Sequence, residues 1–335
     1  MTVVHVGGFA ATGTSAIRDY LLDSAQFAFF GAEFRLLRDR YGLMSMYHAL
    51  RNAADSETTN LILKDFEWLA FWSAREGGLR KFRGRGRDYD RLTCGRFTPA
   101  TLAFLNSITP YRYPMNWDFF SFRKTFIRHL SDSGFGKLGL DVTQDCRMVF
   151  FEDDVFMNEA SRYLEEIFSG VREWNLKSQE SPLLLHNTVS NQSYDETSFT
   201  RRLVPNSKFL ILDRDPRDIF LDLPEGRYLP SGVSPLERSK AFVRFFMHCR
   251  RDLEKLRREQ DVLLIRFEDF VLDHQTGARR LWNFLGLPVP EEPSGKAFDV
   301  SQSARNVELY KNAVGQEKDA IRHIEDQLSA FLHRL

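Results

Sequence analysis

"VVHVGGFAATGTSAI", residues 3–17, passes from an apolar run through glycines and small hydroxyl residues into the start of an amphipathic pattern. The valine-rich run predicts a strand, and the pattern after Thr14 predicts a helix. Between them, Gly8 and then Gly13-Thr14-Ser15 have the GxxxxG spacing of a phosphate-binding turn. Glycines let consecutive N–H groups curl inward and the following helix adds its positive end, so anion binding follows from backbone geometry. In a nucleoside triphosphatase the residue after the second glycine is lysine. Here it is Thr14, which disfavours NTP hydrolysis, while the Ser15 hydroxyl can still bond a phosphate oxygen. A plain glycine-rich strand-to-helix turn is the competing reading.

Working outward, FAFFG (27–31), MVFF (148–151), PLLLH (182–186), KFLILD (208–213) and VLLIRF (262–267) also read as strands. Most are separated by helical-period stretches such as 155–175, 235–258 and 316–334. Strands alternating with helices predict an α/β fold of three layers, a parallel sheet covered on both faces, with the ligand at the carboxyl ends of the strands. From about residue 42 to 146 the strand signal fades into aromatic-rich segments, "LILKDFEWLAFWSA" and "YPMNWDFFSFRKTFIRHL", which read as a helical insertion in a single domain spanning residues 1–335. Within the insertion "RKFRGRGR", residues 80–87, carries five basic residues and no acid: a solvated loop, or a clamp for an acidic substrate. "GLPVPEEPSGKAF" (286–298) reads as a connector to the C-terminal segment.

Composition narrows the partners. Among 335 residues, 46 basic side chains balance 46 acidic ones, so no global field favours nucleic acid or a membrane surface. The 30 phenylalanines are scattered through helix and strand patterns and belong mostly to the core. Cys94, Cys146 and Cys249 form neither a CxxC nor a zinc-spaced cluster, so free thiols in a reducing compartment, or simple core filling, are expected, with no metal. The chain opens directly on a strand and has no apolar run of about 18 residues, which makes a soluble cytoplasmic protein the expectation.

Two further stretches sharpen the anion site. In "NSKFLILDRDPRDIFLD" (206–222) a buried strand ends at Arg214 and turns at Pro216 into a helix; an arginine there can grip a second phosphate with a two-pronged bond, or be absorbed by Asp213, Asp215 and Asp218. "DVLLIRFEDFVLDHQTGARRLWNFLGLPVP" (261–290) is a strand, an acidic turn and an amphipathic helix. The glycine and hydroxyl loop, "RDPRD" and "IRFEDF…FLGLP", in that order, resemble the sulfotransferase family, which uses 3′-phosphoadenosine 5′-phosphosulfate (PAPS) on a sheet like that of P-loop kinases.

The resemblance implies site residues. The family's 5′-phosphosulfate loop, often Pro-Arg/Lys-Ser-Gly-Thr-Thr, falls on Ala10, Ala11, Thr12, Gly13, Thr14 and Ser15, so the usual basic residue is Ala11. Arg214 matches the arginine that binds the 3′-phosphate, and a serine often found eight positions later is Asp222, a carboxylate that repels that phosphate unless it points elsewhere or is paired. Arg305 and Asn306 resemble the late loop that closes over the cofactor, with Arg305 a replacement phosphate contact. No metal is implied, and the product is adenosine 3′,5′-bisphosphate.

Sulfuryl transfer needs an in-line acceptor, a base for its hydroxyl and donors for charge on the leaving phosphate. Two residues compete as base: Glu33, after the second strand in "GAEFR", resembling the heparan-type branch, and His186, at the end of PLLLH, resembling the small-molecule branch. Glu33 is slightly favoured. Without a basic residue at Ala11, charge on the leaving group falls to loop N–H groups and the Thr12 and Thr14 hydroxyls, helped by Lys64 or an arginine of 80–87; Arg35, Lys64, Arg83, Arg85 and Arg87 are the candidate substrate contacts. The expected acceptor is a small molecule or saccharide, with a sugar or polysaccharide hydroxyl favoured. The competing readings are a small-molecule P-loop kinase and a catalytically silent PAPS- or nucleotide-binding protein.

Overall fold

A computed structural model describes residues 2–8, 11–53, 55–74, 87–115, 144–188, 194–223, 225–226, 228–290 and 297–333. Its strands are β1 (Val3–Gly8), β2 (Ala28–Glu33), β3 (Tyr111–Met115), β4 (Gln144–Met148), β5 (Leu183–His186), β6 (Ser207–Asp213) and β7 (Val262–Arg266). Five of them form one all-parallel sheet in the order β2-β5-β1-β6-β7. Parallel neighbours need crossover connections, and the helices between strands supply them.

Both faces of this sheet are buried, which is why its strands read as near-continuous apolar runs. Val4, Val6, Leu184, Leu210, Leu212, Leu263 and Ile265 meet Ile17 and Leu21 of the helix Thr14–Asp23, and Leu281 and Trp282 of the helix His274–Leu285. Alternate residues, Val3, Ala28, Phe30, Leu183 and Leu185, face the other way into Leu164, Ile167 and Phe168 of the helix Asp153–Trp174. Behind that helix lie Leu43–Arg51, Ser56–Ala74 and Phe97–Ser107, whose aromatic rings interlock with it; Phe104 stacks on Tyr163 at 5.1 Å. Among the described residues no helix is long and apolar enough to cross a membrane.

Several expectations change. MVFF does not join the parallel sheet: the strand there is β4, which ends at Met148 and pairs antiparallel with β3 in a separate two-stranded sheet. Its apolar tail passes beyond the strand, Val149 and Phe151 packing on the core while Phe150 is exposed. "YPMNWDFFSFRKTFIRHL" begins as strand rather than helix at 113–115, and its remainder lies outside the described residues. The stretch 235–258 is two helices, Pro235–Cys249 and Leu253–Arg257, and 316–334 holds the α-helix Gln316–Gln327 followed by a short 3-10 helix, Ser329–Phe331.

All five parallel strands open their carboxyl ends on one edge, and β1 lies between β5 and β6, where the chain crosses from one half of the sheet to the other. A crevice outside the carboxyl end of β1 is where an open α/β sheet binds its ligand.

Candidate active site

The turn after β1 is built on positive φ angles, 62° at Ala11 and 85° at Gly13. A side chain at Gly13 is barred twice: the backbone is left-handed, and a Cβ there would sit 2.3 Å from the Phe267 ring. A Cβ at Gly8 would lie 2.5 Å from Thr12 Oγ1 and 2.9 Å from the Leu212 carbonyl. Gly13 then caps the helix Thr14–Asp23 without a side-chain acceptor, so the positive helix end faces the crevice with no built-in counter-anion from its cap. Thr12 is buried and Ser15 exposed; Phe9 and Ala10 lie outside the described residues. The Ala11 methyl packs on the apolar cluster that contains Ile219 and Phe220.

Arg214 anchors this turn from the end of β6. It is 2% exposed, and its Nη1 donates to the Ala11 carbonyl at 2.8 Å and to Asp222 Oδ2 at 2.6 Å, while Nη2 donates to the Asn306 carbonyl at 2.6 Å. Its Nε is buried without a hydrogen-bond partner. The acids around Arg214 have separate tasks. Asp213 pairs with Arg250 and Arg266. Asp215 caps the helix Pro216–Asp222, grips Arg217 and accepts from the His333 N–H at 2.9 Å, tying the C-terminal segment to β6. Asp218 is fully buried and accepts from the N–H groups of Glu308 (2.8 Å) and Tyr310 (3.1 Å); burial raises its pKa. Asp218 thereby docks the segment after Asn306 beside Arg214. Arg305 and Asn306 are themselves exposed, and Asn306 joins the cluster through its backbone carbonyl.

On the other side of β1, Glu33 and His186 are cross-strand partners at the ends of β2 and β5. Glu33 Oε1 accepts from Asn187 Nδ2 at 2.7 Å, and Oε2 lies 3.7 Å from Arg35 Nη1. Arg35 is held more closely by Asp39, 2.8 Å from Nε, and Asp39 also binds Arg87 Nη2 at 3.0 Å. Tyr89 pins the backbone here, its hydroxyl donating to the Glu33 carbonyl at 2.7 Å and accepting from the Arg35 N–H at 3.3 Å. His186 is 4% exposed and its Nε2 has no hydrogen-bond partner. Burial, then the charge of Arg18, lower its pKa to about 4, with Glu33 opposing and Arg38 adding to the fall.

Folding thus brings Ala11 through Ser15, Arg214, Asp222 and Asn306 into one group, and Glu33, His186, Arg35 and Arg87 into a second across β1. Lys64 is half-buried on the helix Ser56–Ala74; Arg83 and Arg85, like Arg80 and Lys81, lie outside the described residues. Sequence reasoning passed over Arg18, Asn187, Tyr89 and His5. Arg18 left a signal, four residues after Thr14 on the same helix face. The others left none, because their partners are distant in the chain. His5, buried inside β1, bonds Thr188 Oγ1 through Nδ1 at 2.9 Å and Ser207 Oγ through Nε2 at 3.1 Å.

Residues 4–291 match the family model described as "Sulfotransferase family". The chain belongs to the sulfotransferase family. The match takes in the turn, Glu33, His186, Arg214 and Asp222, and ends before Arg305 and Asn306. No curated protein matches this sulfotransferase. Solved structures similar to it include sulfotransferase STF1 from Mycobacterium tuberculosis H37Rv, at 10% identity over 98% of this chain and 77% of that one, TM-score 0.39. The sulfotransferase domain from the curacin biosynthetic pathway is 13% identical over 99% and 98%, TM-score 0.43. That of the Synechococcus PCC 7002 olefin synthase is 11% identical over 100% and 96%, TM-score 0.41.

Proposed function

We propose that this sulfotransferase moves a sulfuryl group from PAPS to a hydroxyl acceptor. The observation that carries the reading is Arg214: a buried guanidinium joined at once to the turn at Ala11 and the late segment at Asn306, with Nε unpartnered. When bound, PAPS supplies the sulfuryl group and a bisphosphate leaving group. The turn 11–15, with its left-handed backbone and uncapped helix end, would hold the 5′-phosphosulfate, and Arg214 the 3′-phosphate, with Arg305 and Asn306 at its rim.

Glu33 is the base we favour. Its side chain is 45% exposed at the carboxyl end of β2, whereas His186 Nε2 is shut away from solvent. As the acceptor oxygen bonds to sulfur and the sulfur–oxygen bond to the bisphosphate breaks, the acceptor proton passes to Glu33. Asn187 and Arg35 orient the carboxylate, and Tyr89 fixes the backbone that carries it. Ala11 offers no cation, and Arg18, one helical turn past Thr14, is the charge we assign to the leaving group, with Arg35 and Arg87 on the acceptor side.

A sugar hydroxyl is the acceptor we favour, supported by the exposed Trp68, stacked at 6.3 Å on Trp72, an aromatic surface of the kind sugar rings lie on. A cytoplasmic setting is supported by the exposed, free thiol of Cys94. The kinase reading is set aside by family membership. Ala11, seated in an apolar cluster, favours one second reading, a protein that binds the nucleotide without transferring sulfate. Calorimetry with adenosine 3′,5′-bisphosphate and no magnesium tests the site: binding is expected, and binding of ATP-magnesium alone would refute it. A labelled-sulfate screen over sugar acceptors then separates transfer from silent binding.

A further inference from the structure

The Asp222 carboxylate sits 2.6 Å from Arg214 Nη1, on the cation that the reading above gives to the 3′-phosphate. The two partners differ in freedom. The Arg214 side chain is 3% exposed and also held by two backbone carbonyls, whereas that of Asp222 is 44% exposed. Asp222 can swing into water at little desolvation cost, and Arg214 cannot follow it. Asp222 also ends the helix Pro216–Asp222, where a carboxylate meets the negative end of the backbone dipoles, so the ion pair is what favours its present position. Its grip is single-pronged, on Nη1 alone, while a phosphate has oxygens enough to fork across Nη1 and the second hydrogen of Nη2.

We propose that Asp222 is a built-in competitor for the 3′-phosphate: it occupies the anion position on Arg214 and must be displaced for a 3′-phosphorylated nucleotide to bind. It therefore sets how strongly the protein prefers nucleotides that carry this phosphate over those that do not. The proposal rests on the assignment of Arg214 to the 3′-phosphate, and its test separates the two.

Dissociation constants of 5′-AMP and adenosine 3′,5′-bisphosphate are measured by calorimetry on the full chain, for wild type, Asp222→Asn and Asp222→Ser, with thermal melts to show that each is folded. Asn keeps the shape and removes the charge; Ser also removes the reach. In both variants the preference for the bisphosphate should rise about tenfold or more, through tighter bisphosphate binding, with 5′-AMP affinity unchanged. A purely structural role for Asp222 would weaken both ligands together. If the wild type binds the bisphosphate and neither variant shifts the preference, the competitor role is overturned and the PAPS site stands. If none of the three proteins binds the bisphosphate, the PAPS site falls and the proposal with it.

Discussion

Arg214 Nη1 donates to the backbone carbonyl of Ala11 at 2.8 Å, joining the end of β6 to the turn after β1. The position where the family often has a basic side chain thus contributes a carbonyl, held by an arginine more than two hundred residues away. The left-handed Ala11, φ 62°, is stabilised in part by that bond. Arg214→Ala should cost roughly 2–4 kcal/mol of adenosine bisphosphate affinity, the scale of truncating a buried charged partner. Arg214→Lys, which keeps the charge and loses the fork, should recover only part of it. An unchanged dissociation constant in Arg214→Ala would remove this residue from the nucleotide site.

Gly13→Ala combines a left-handed alanine with a Cβ 2.3 Å from the Phe267 ring. About 1–2 kcal/mol for the backbone and about 1–3 kcal/mol for the overlap should be lost from stability. Urea unfolding measures this directly, and a loss below about 0.5 kcal/mol would show that the turn relaxes freely.

Glu33 and His186 are neighbours across β2 and β5, so single substitutions rank them. Glu33→Gln should lower turnover by about a hundredfold to ten-thousandfold with bisphosphate affinity intact, and His186→Asn by less than about tenfold. The opposite ranking would transfer the role of base to His186.

His5 and His186 are both kept neutral by burial, with pKa values lowered from 6.5 to about 3 and about 4. Below about pH 6.5 the unfolded chain takes up protons that the folded chain refuses, so this stability is full above that pH and drains away as the pH falls toward 4 and then 3. The expected slope is about 1.4 kcal/mol per pH unit for each histidine. Ser207 donates its hydroxyl hydrogen to the Val204 carbonyl at 2.7 Å, so its oxygen accepts from His5 Nε2, and Thr188 donates to Nδ1. His5→Gln cannot charge. Its stability difference between pH 7.5 and pH 5 should be smaller than that of the wild type by about 2 kcal/mol, and an equal difference would show that His5 does not titrate on unfolding.

Much of the framework that carries the candidate site was legible before folding was considered. The apolar runs 3–7, 182–186, 208–213 and 262–267 became parallel strands because each is buried on both faces, and the GxxxxG spacing became a left-handed turn because only glycine fits beneath Phe267 and beside Thr12. MVFF misled because an apolar run records burial, and side chains just past a strand can be buried as well as those within it. Asp215 and Asp218 read as generic partners of the arginines; the fold gave one to the C-terminal segment and the other to the late loop.

Local chemistry in the chain determined the strands, the turn and the placing of Arg214 at a strand end, because burial, backbone freedom and charge act within a few residues. Strand order decided the rest. Glu33 meets His186 only because β2 lies against β5, and Asp222 meets Arg214 only because a two-turn helix folds back over the end of β6. Such contacts follow from the packing of the whole sheet, which no short stretch of sequence contains.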